Sequence, residues 1–166
     1  MKPVATYILT TSQHLEACEF LKSVEFPNGF ESNISRCVNV KTGKLFELKS
    51  HDCHVLFQRL LPLAIWGFLN YYISHVITKF SNFFHGLCAK VISLDELNQL
   101  QRDITFILCK LERIFPFTFF DVMIHLAIHL PYEAKIVGPV CYSWMYPIEW
   151  SLRTWRIMFK LKQKGS

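Results

Sequence analysis

Ser93, then Glu96, then Leu97, Leu100, Ile104, Leu108 and Leu111 form the pattern that most constrains this chain. A serine N-cap with glutamate three positions later makes a capping box, each side chain accepting a hydrogen bond from the other residue's backbone N–H. The apolar residues recur every three or four positions, the repeat of a helix that buries one side. The spacing predicts a helix from Ser93 to Ile114, with Glu96, Gln99, Arg102, Asp103 and Lys110 on its solvated face.

The same reading extends in both directions. Ile73, Ile77, Phe80, Phe84, Leu87 and Val91 predict a helix from about Asn70 to Ile92. Ser50 is placed to cap a helix to about Leu61, where Pro62 bends or ends it. "TSQHLEACEFLKSV" reads as a short helix capped by Thr11 or Ser12, with Leu15, Cys18 and Leu21 on one side, and "FPNG" breaks it. "RCVNVKTGKLFEL" alternates around Thr42-Gly43, which predicts a small hairpin near residues 36–48. Past Pro116, a helix is expected from about Thr118 to Leu130, ended by Pro131, then a loop through "YEAKIVGPVCYSW". Pro147 suits the first position of a last helix, where its missing N–H costs nothing. The fold class is mainly α, one helical domain with a small hairpin. Residues 1–49 form an N-terminal helix-and-hairpin segment and residues 50–166 a helical region.

Bulk properties narrow the function. Half the residues are hydrophobic (51%) and 19% are charged, against roughly 25% in average soluble domains. Part of the surface is therefore expected to be covered. A net charge of +5 permits nucleic acid as a partner without requiring it. Six cysteines occur with no CxxC pair and no signal peptide, which reads as reduced, intracellular thiol. Leu60 to Ile77 is apolar but contains Pro62, Gly67, Asn70 and His75, so a membrane span is not expected.

Four features could carry chemistry. His125 and His129 are four apart, on one face of a helix and roughly 6 Å apart along its axis, which suits one metal ion or two hydrogen-bonded core histidines. A tetrahedral zinc site needs four ligands, and this pair supplies two. "SHDCH", Ser50 to His54, gathers His51, Asp52, Cys53 and His54, yet consecutive helical residues point in different directions, which favours a capped helix start. Glu149 falls in a first helical turn, where the dipole welcomes a carboxylate. Arg153, Arg156, Lys160 and Lys164 form a basic stripe beside Leu152, Trp155 and Phe159, fit for phosphates or simply for water.

Three blocks are more specific together. "GFESNISRCVNVKTGKLFELKSHDCHVLFQRLLPLAI", "LCKLERIFPFTFFDVMIHLAIHLPYEA" and "GPVCYSWMYPIEW" resemble a plant domain of unknown function found just after the catalytic core of CACTA (En/Spm-type) transposases, from about Pro3 to Ser166. These enzymes group with the DDE recombinases, whose core sets three carboxylates around two divalent ions. In related recombinases a zinc-binding insertion, a CxxC pair followed by a histidine pair, precedes the last acid by about twenty residues; here 149 − 129 = 20.

The resemblance implies that His125 and His129 supply half of a structural zinc site and that Glu149 is the third carboxylate. It makes Arg153, Arg156, Lys160 and Lys164 DNA contacts, with magnesium held only alongside an upstream catalytic core. The implied partners are transposon DNA and that upstream domain, in the nucleus, with no activity from the isolated chain. The alternative is a non-catalytic helical interaction module derived from a transposon. The sequence departs from the family where arginine is usual, at Trp66, Ser143 and Trp150, and where proline is usual, at Ala127. Fewer cations near a DNA site weaken phosphate contacts, and the family domain is expected to continue past "KQKGS".

Overall fold

The computed structural model describes residues 7–27, 33–116 and 126–139. Their regular secondary structure is helical apart from a two-stranded antiparallel hairpin, so the chain is mainly α. Contacts divide it into two compact units, Met1–Ser74 and His75–Ser166.

In the first unit, α1 (Thr11–Ser23) is capped by Thr10, one or two positions before the expected Thr11 or Ser12, because Thr10 and Gln13 complete a capping box. Gln13 Oε1 accepts the Thr10 N–H at 2.9 Å, and the Gln13 N–H reaches Thr10 Oγ1 at 3.3 Å. Ala17, Cys18 and Leu21 form its buried side. A 3-10 turn (Ile34–Cys37) leads into β1 (Val38–Asn39), which pairs with β2 (Lys44–Leu45) in the register Val38 to Leu45 and Asn39 to Lys44.

The hairpin loop closes through Asn39, whose Oδ1 accepts the Thr42 N–H at 3.2 Å, and through Gly43, at φ +62. A Cβ at Gly43 would lie 3.0 Å from His14 Cε1. Gly43→Ala therefore meets two obstacles, a left-handed backbone and the α1 imidazole. It is expected to destabilise the chain by about 1–2 kcal/mol, read as a lower midpoint in urea.

α2 (Ser50–Val55) and α3 (Leu61–Ile65) are joined without a break by a π-helical turn, Leu56–Leu60. Ser50 is the first helical residue and Lys49 the N-cap. Of the two outcomes expected at Pro62, a bend or an end, the helix does not end there. A proline lacks an N–H and its ring collides with the carbonyl four residues back. The chain widens instead, and Leu61 N–H bonds to Leu56 O, five residues back. Leu56, Phe57, Leu60, Leu61, Ala64 and Ile65 are all buried. The helix then stops at Trp66, and Gly67 turns the chain at φ +86. Gln13 Nε2 donates to Phe68 O across this turn at 3.3 Å. Leu60 to Ile77 is thus two helices around a bend. Among the described residues, no helix is long and apolar enough to cross a membrane.

α4 (Tyr71–Leu87) starts where Asn70 Oδ1 accepts the Tyr72 N–H at 2.9 Å, and the division between the units falls in its first turn. Its buried side is Ile73, Val76, Ile77, Phe80, Phe83, Phe84 and Leu87. Phe84 meets both Phe80 and Phe83 edge to face, with centroids 5.0 and 5.2 Å away, pairings worth about 0.5–1.5 kcal/mol each beyond their burial. The helix ends at Leu87, short of Ile92, and Val91 is 88% exposed, although it continues the apolar repeat.

α5 (Leu94–Ile114) matches its sequence closely. Ser93 Oγ accepts the Glu96 N–H at 3.2 Å and Glu96 Oε2 accepts the Ser93 N–H at 2.7 Å. Leu97, Ile104, Ile107, Leu108 and Leu111 are buried, and Leu100 is half-buried against Gly86 of α4. α6 (Leu130–Val137) packs on α5, with Lys135 Nζ donating to Gln101 Oε1. Here the expectation of a helix ended by Pro131 is corrected. Pro131 opens α6, its first turn being the one place where a helix needs no N–H. Much of the expected loop is therefore helix, closed by Gly138 at φ +98.

Candidate functional site

One member of the histidine pair, His129, falls among the described residues. His129 is exposed at the head of α6, its N–H bonded to Leu126 O at 2.9 Å and its carbonyl accepting the Glu133 N–H at 3.0 Å. Ala127, Leu130, Pro131 and Ala134 turn inward around it, the apolar positions of the segment taking the core and leaving the imidazole on the surface. His125, Glu149, Arg153, Arg156, Lys160 and Lys164 lie outside the described residues, as do Ser143 and Trp150. Two departures from the family pattern can be placed. Trp66 is 61% exposed, a surface position where an arginine would meet water, and Ala127 is buried.

The Ser50 to His54 cluster resolves as a helix start. Asp52 is buried, and its Oδ2 accepts the Lys49 N–H at 3.1 Å, satisfying one of the amide groups every helix N-terminus leaves over. His51 Nε2 is 4.0 Å from Asp52 Oδ1, beyond hydrogen-bond range. His54 Nδ1 faces Gln58 Nε2 at 3.4 Å. Burial, and then the neighbouring His51, push the His54 pKa below its ordinary value. Cys37, on the 3-10 turn, has its thiol pushed up by burial first and then by the Asp52 charge. The four side chains fan out around the helix and do not converge on a point. Among the described residues, no group of three or more histidine, cysteine, aspartate or glutamate side chains could hold a metal ion.

Two features lay beyond the sequence patterns. Asp52 works as a buried cap, which the Ser50 reading hid because serine is the commoner cap. The π-turn has no periodic signature, though Pro62 within a strongly apolar helix was its available sign.

The described residues thus define a mainly α-helical protein whose second unit carries the candidate residues. Residues 87–165 match the family described as "Domain of unknown function (DUF4218)". No curated protein and no solved structure matches the chain. The match takes in α5 and α6, and by position it contains His125, His129, Glu149, Arg153, Arg156, Lys160 and Lys164. The hairpin and the "KSHDCH" block lie outside it.

Proposed function

We propose that this chain is the C-terminal part of a CACTA-type DDE transposase, acting on transposon DNA together with an upstream catalytic domain. The observation that carries the reading is the family match over residues 87–165, which gathers the histidine pair, the glutamate and the basic stripe in one continuous stretch. The exposure of His129 is in keeping with it, since a ligand to an ion shared with another domain belongs on the surface.

Each residue has a role in this reading. His125 and His129 would offer two imidazole nitrogens to zinc. That is half of a tetrahedral set, so the other two ligands come from a CxxC pair on the upstream domain. Bound zinc supplies a cross-link and no chemistry. Glu149 offers a carboxylate to a magnesium site completed by two aspartates of the upstream core. The paired ions, when bound, activate the attacking oxygen and stabilise the leaving one. Arg153, Arg156, Lys160 and Lys164 neutralise phosphates and hold the duplex. With one carboxylate of three, the isolated chain cuts nothing.

Reconstitution tests this. A catalytic core ending before this region, mixed with transposon-end DNA and magnesium, is expected to cleave only when this chain is supplied, fused or in trans. Equal cleavage without the chain would remove it from the enzyme.

A second reading is a helical interaction module without catalytic duty. It is favoured by the large apolar side chains left exposed within each unit. Leu63 and Trp66 (each 61%) stand in the first, and Ile136 and Val137 (each 68%) in the second. Trp is a frequent anchor of protein interfaces.

A further inference from the structure

α6 is apolar on both of its sides. Leu130, Pro131 and Ala134 are buried where the helix packs on α5. Tyr132 and Ile136, four apart on the outward side, are 56% and 68% exposed, and Val137 at the helix end is as exposed as Ile136. Its two charged residues, Glu133 and Lys135, are half-buried instead. The outward side therefore lacks the charges that suit a helix to water, and a helix apolar all round is one that is packed all round. Other large apolar side chains of this unit are exposed, but they are scattered. Val91 and Leu94 flank the Ser93 cap, and Phe106 stands about 18 Å further along α5, with Asp95, Glu96 and Arg102 exposed in between.

The chain that follows α6 has a matching character. Gly138 closes α6, the sequence runs on to Ser166, and Pro147 suits the start of a further helix. At helical spacing Ile148, Leu152, Trp155 and Phe159 form an apolar stripe, and Glu149, Arg153, Arg156 and Lys160, each one position later, form a charged one beside it. An apolar stripe of this kind is stable only when covered, and the outward side of α6 is the apolar surface nearest along the chain. Residues 138–147 span about 30 Å at full stretch, more than twice the roughly 12 Å length of α6, so the stripe can reach any point of that side. We propose that residues 147–164 dock on the outward side of α6, with Ile148, Leu152, Trp155 and Phe159 against Tyr132 and Ile136. Docked so, the segment leaves Glu149, Arg153, Arg156 and Lys160 together on an uncovered side, where acid and cations meet one ligand. The use of that side rests on the transposase reading above; the packing does not.

Hydrogen–deuterium exchange of the full chain, read by mass spectrometry, tests the contact. Amides of residues 148–164 are expected to exchange roughly tenfold more slowly, or slower still, than those of an unstructured peptide. Ile136→Glu should return them to near the unprotected rate while α5 keeps its protection. Trp155→Glu, made in the segment and unable to unfold α6, should release the same amides. Ile136→Leu should keep the wild-type pattern, and so should Phe106→Glu, an equally exposed change on α5. A wild-type segment that exchanges as an unstructured peptide overturns the proposal and leaves the outward side of α6 to a partner protein. Protection that survives both Ile136→Glu and Trp155→Glu also overturns it. So does protection that yields to Phe106→Glu and not to Ile136→Glu, which assigns the stripe to α5. Cleavage by the reconstituted enzyme reports on the transposase reading separately: protection without cleavage keeps the packing and loses that reading.

Discussion

A Glu149→Gln chain, joined to a matching upstream catalytic core, is expected to hold transposon DNA and fail to cut it. Glutamine keeps the size of glutamate and removes its charge. A divalent ion held between carboxylates needs that charge, whereas in the proposed reading the cations at 153, 156, 160 and 164 hold the duplex. Strand cleavage should fall by roughly a thousandfold or more, the scale on which single catalytic groups act. A gel shift on the same DNA should be unchanged. Cleavage at the wild-type rate would take Glu149 out of the proposed active site.

The second large effect concerns the fold. Ile104 lies in the middle of the α5 stripe and is 0% exposed. Ile104→Asp would bury a carboxylate with no partner, at a cost of several kcal/mol. That is comparable to the whole stability of a typical domain, about 5–15 kcal/mol. The variant is expected to lose the cooperative thermal transition seen by circular dichroism. Thr105→Asp, one residue on and exposed, is the control; surface changes of this kind usually stay within about 0.5 kcal/mol. Leu111→Ala, at a position 1% exposed, should fall between them, at about 2–5 kcal/mol. An Ile104→Asp chain that melts with wild type would mean the stripe is not the core.

These elements show how far the sequence could be read. α5 was legible from end to end because two independent signals agreed, a capping box at Ser93 and a stripe at helical spacing. The hairpin was legible because Gly43 supplies the left-handed backbone its loop requires. Val91 marks the limit of periodicity. Periodicity says which side a residue would face if the helix continued, and nothing about whether it does; α4 stops at Leu87. The prolines failed in another way. One ring can end a helix, begin one or widen one, and only the neighbouring backbone decides. Pro131 begins α6, and Pro62 lies just beyond a π-turn.

The candidate site was less legible than the fold, for a physical reason. Sequence spacing places His125 near His129 only if one regular helix connects them. At His129 the backbone bond runs to Leu126, three residues back, the tighter turn found at helix ends. Two donors also cannot specify an ion. The other ligands, like the other two carboxylates, belong in this reading to a different part of the enzyme. At Ser50 to His54 the opposite held. Four polar groups in a row looked like chemistry, and the structure uses one of them, Asp52, to cap a helix.

If the histidine pair joins this chain to a catalytic domain through zinc, as proposed, the joint is read in the metal content. The purified complex of chain and upstream core should contain one zinc ion per chain by elemental analysis, and the His125→Ala plus His129→Ala complex should contain almost none. Equal zinc in both complexes would take His125 and His129 out of any metal site.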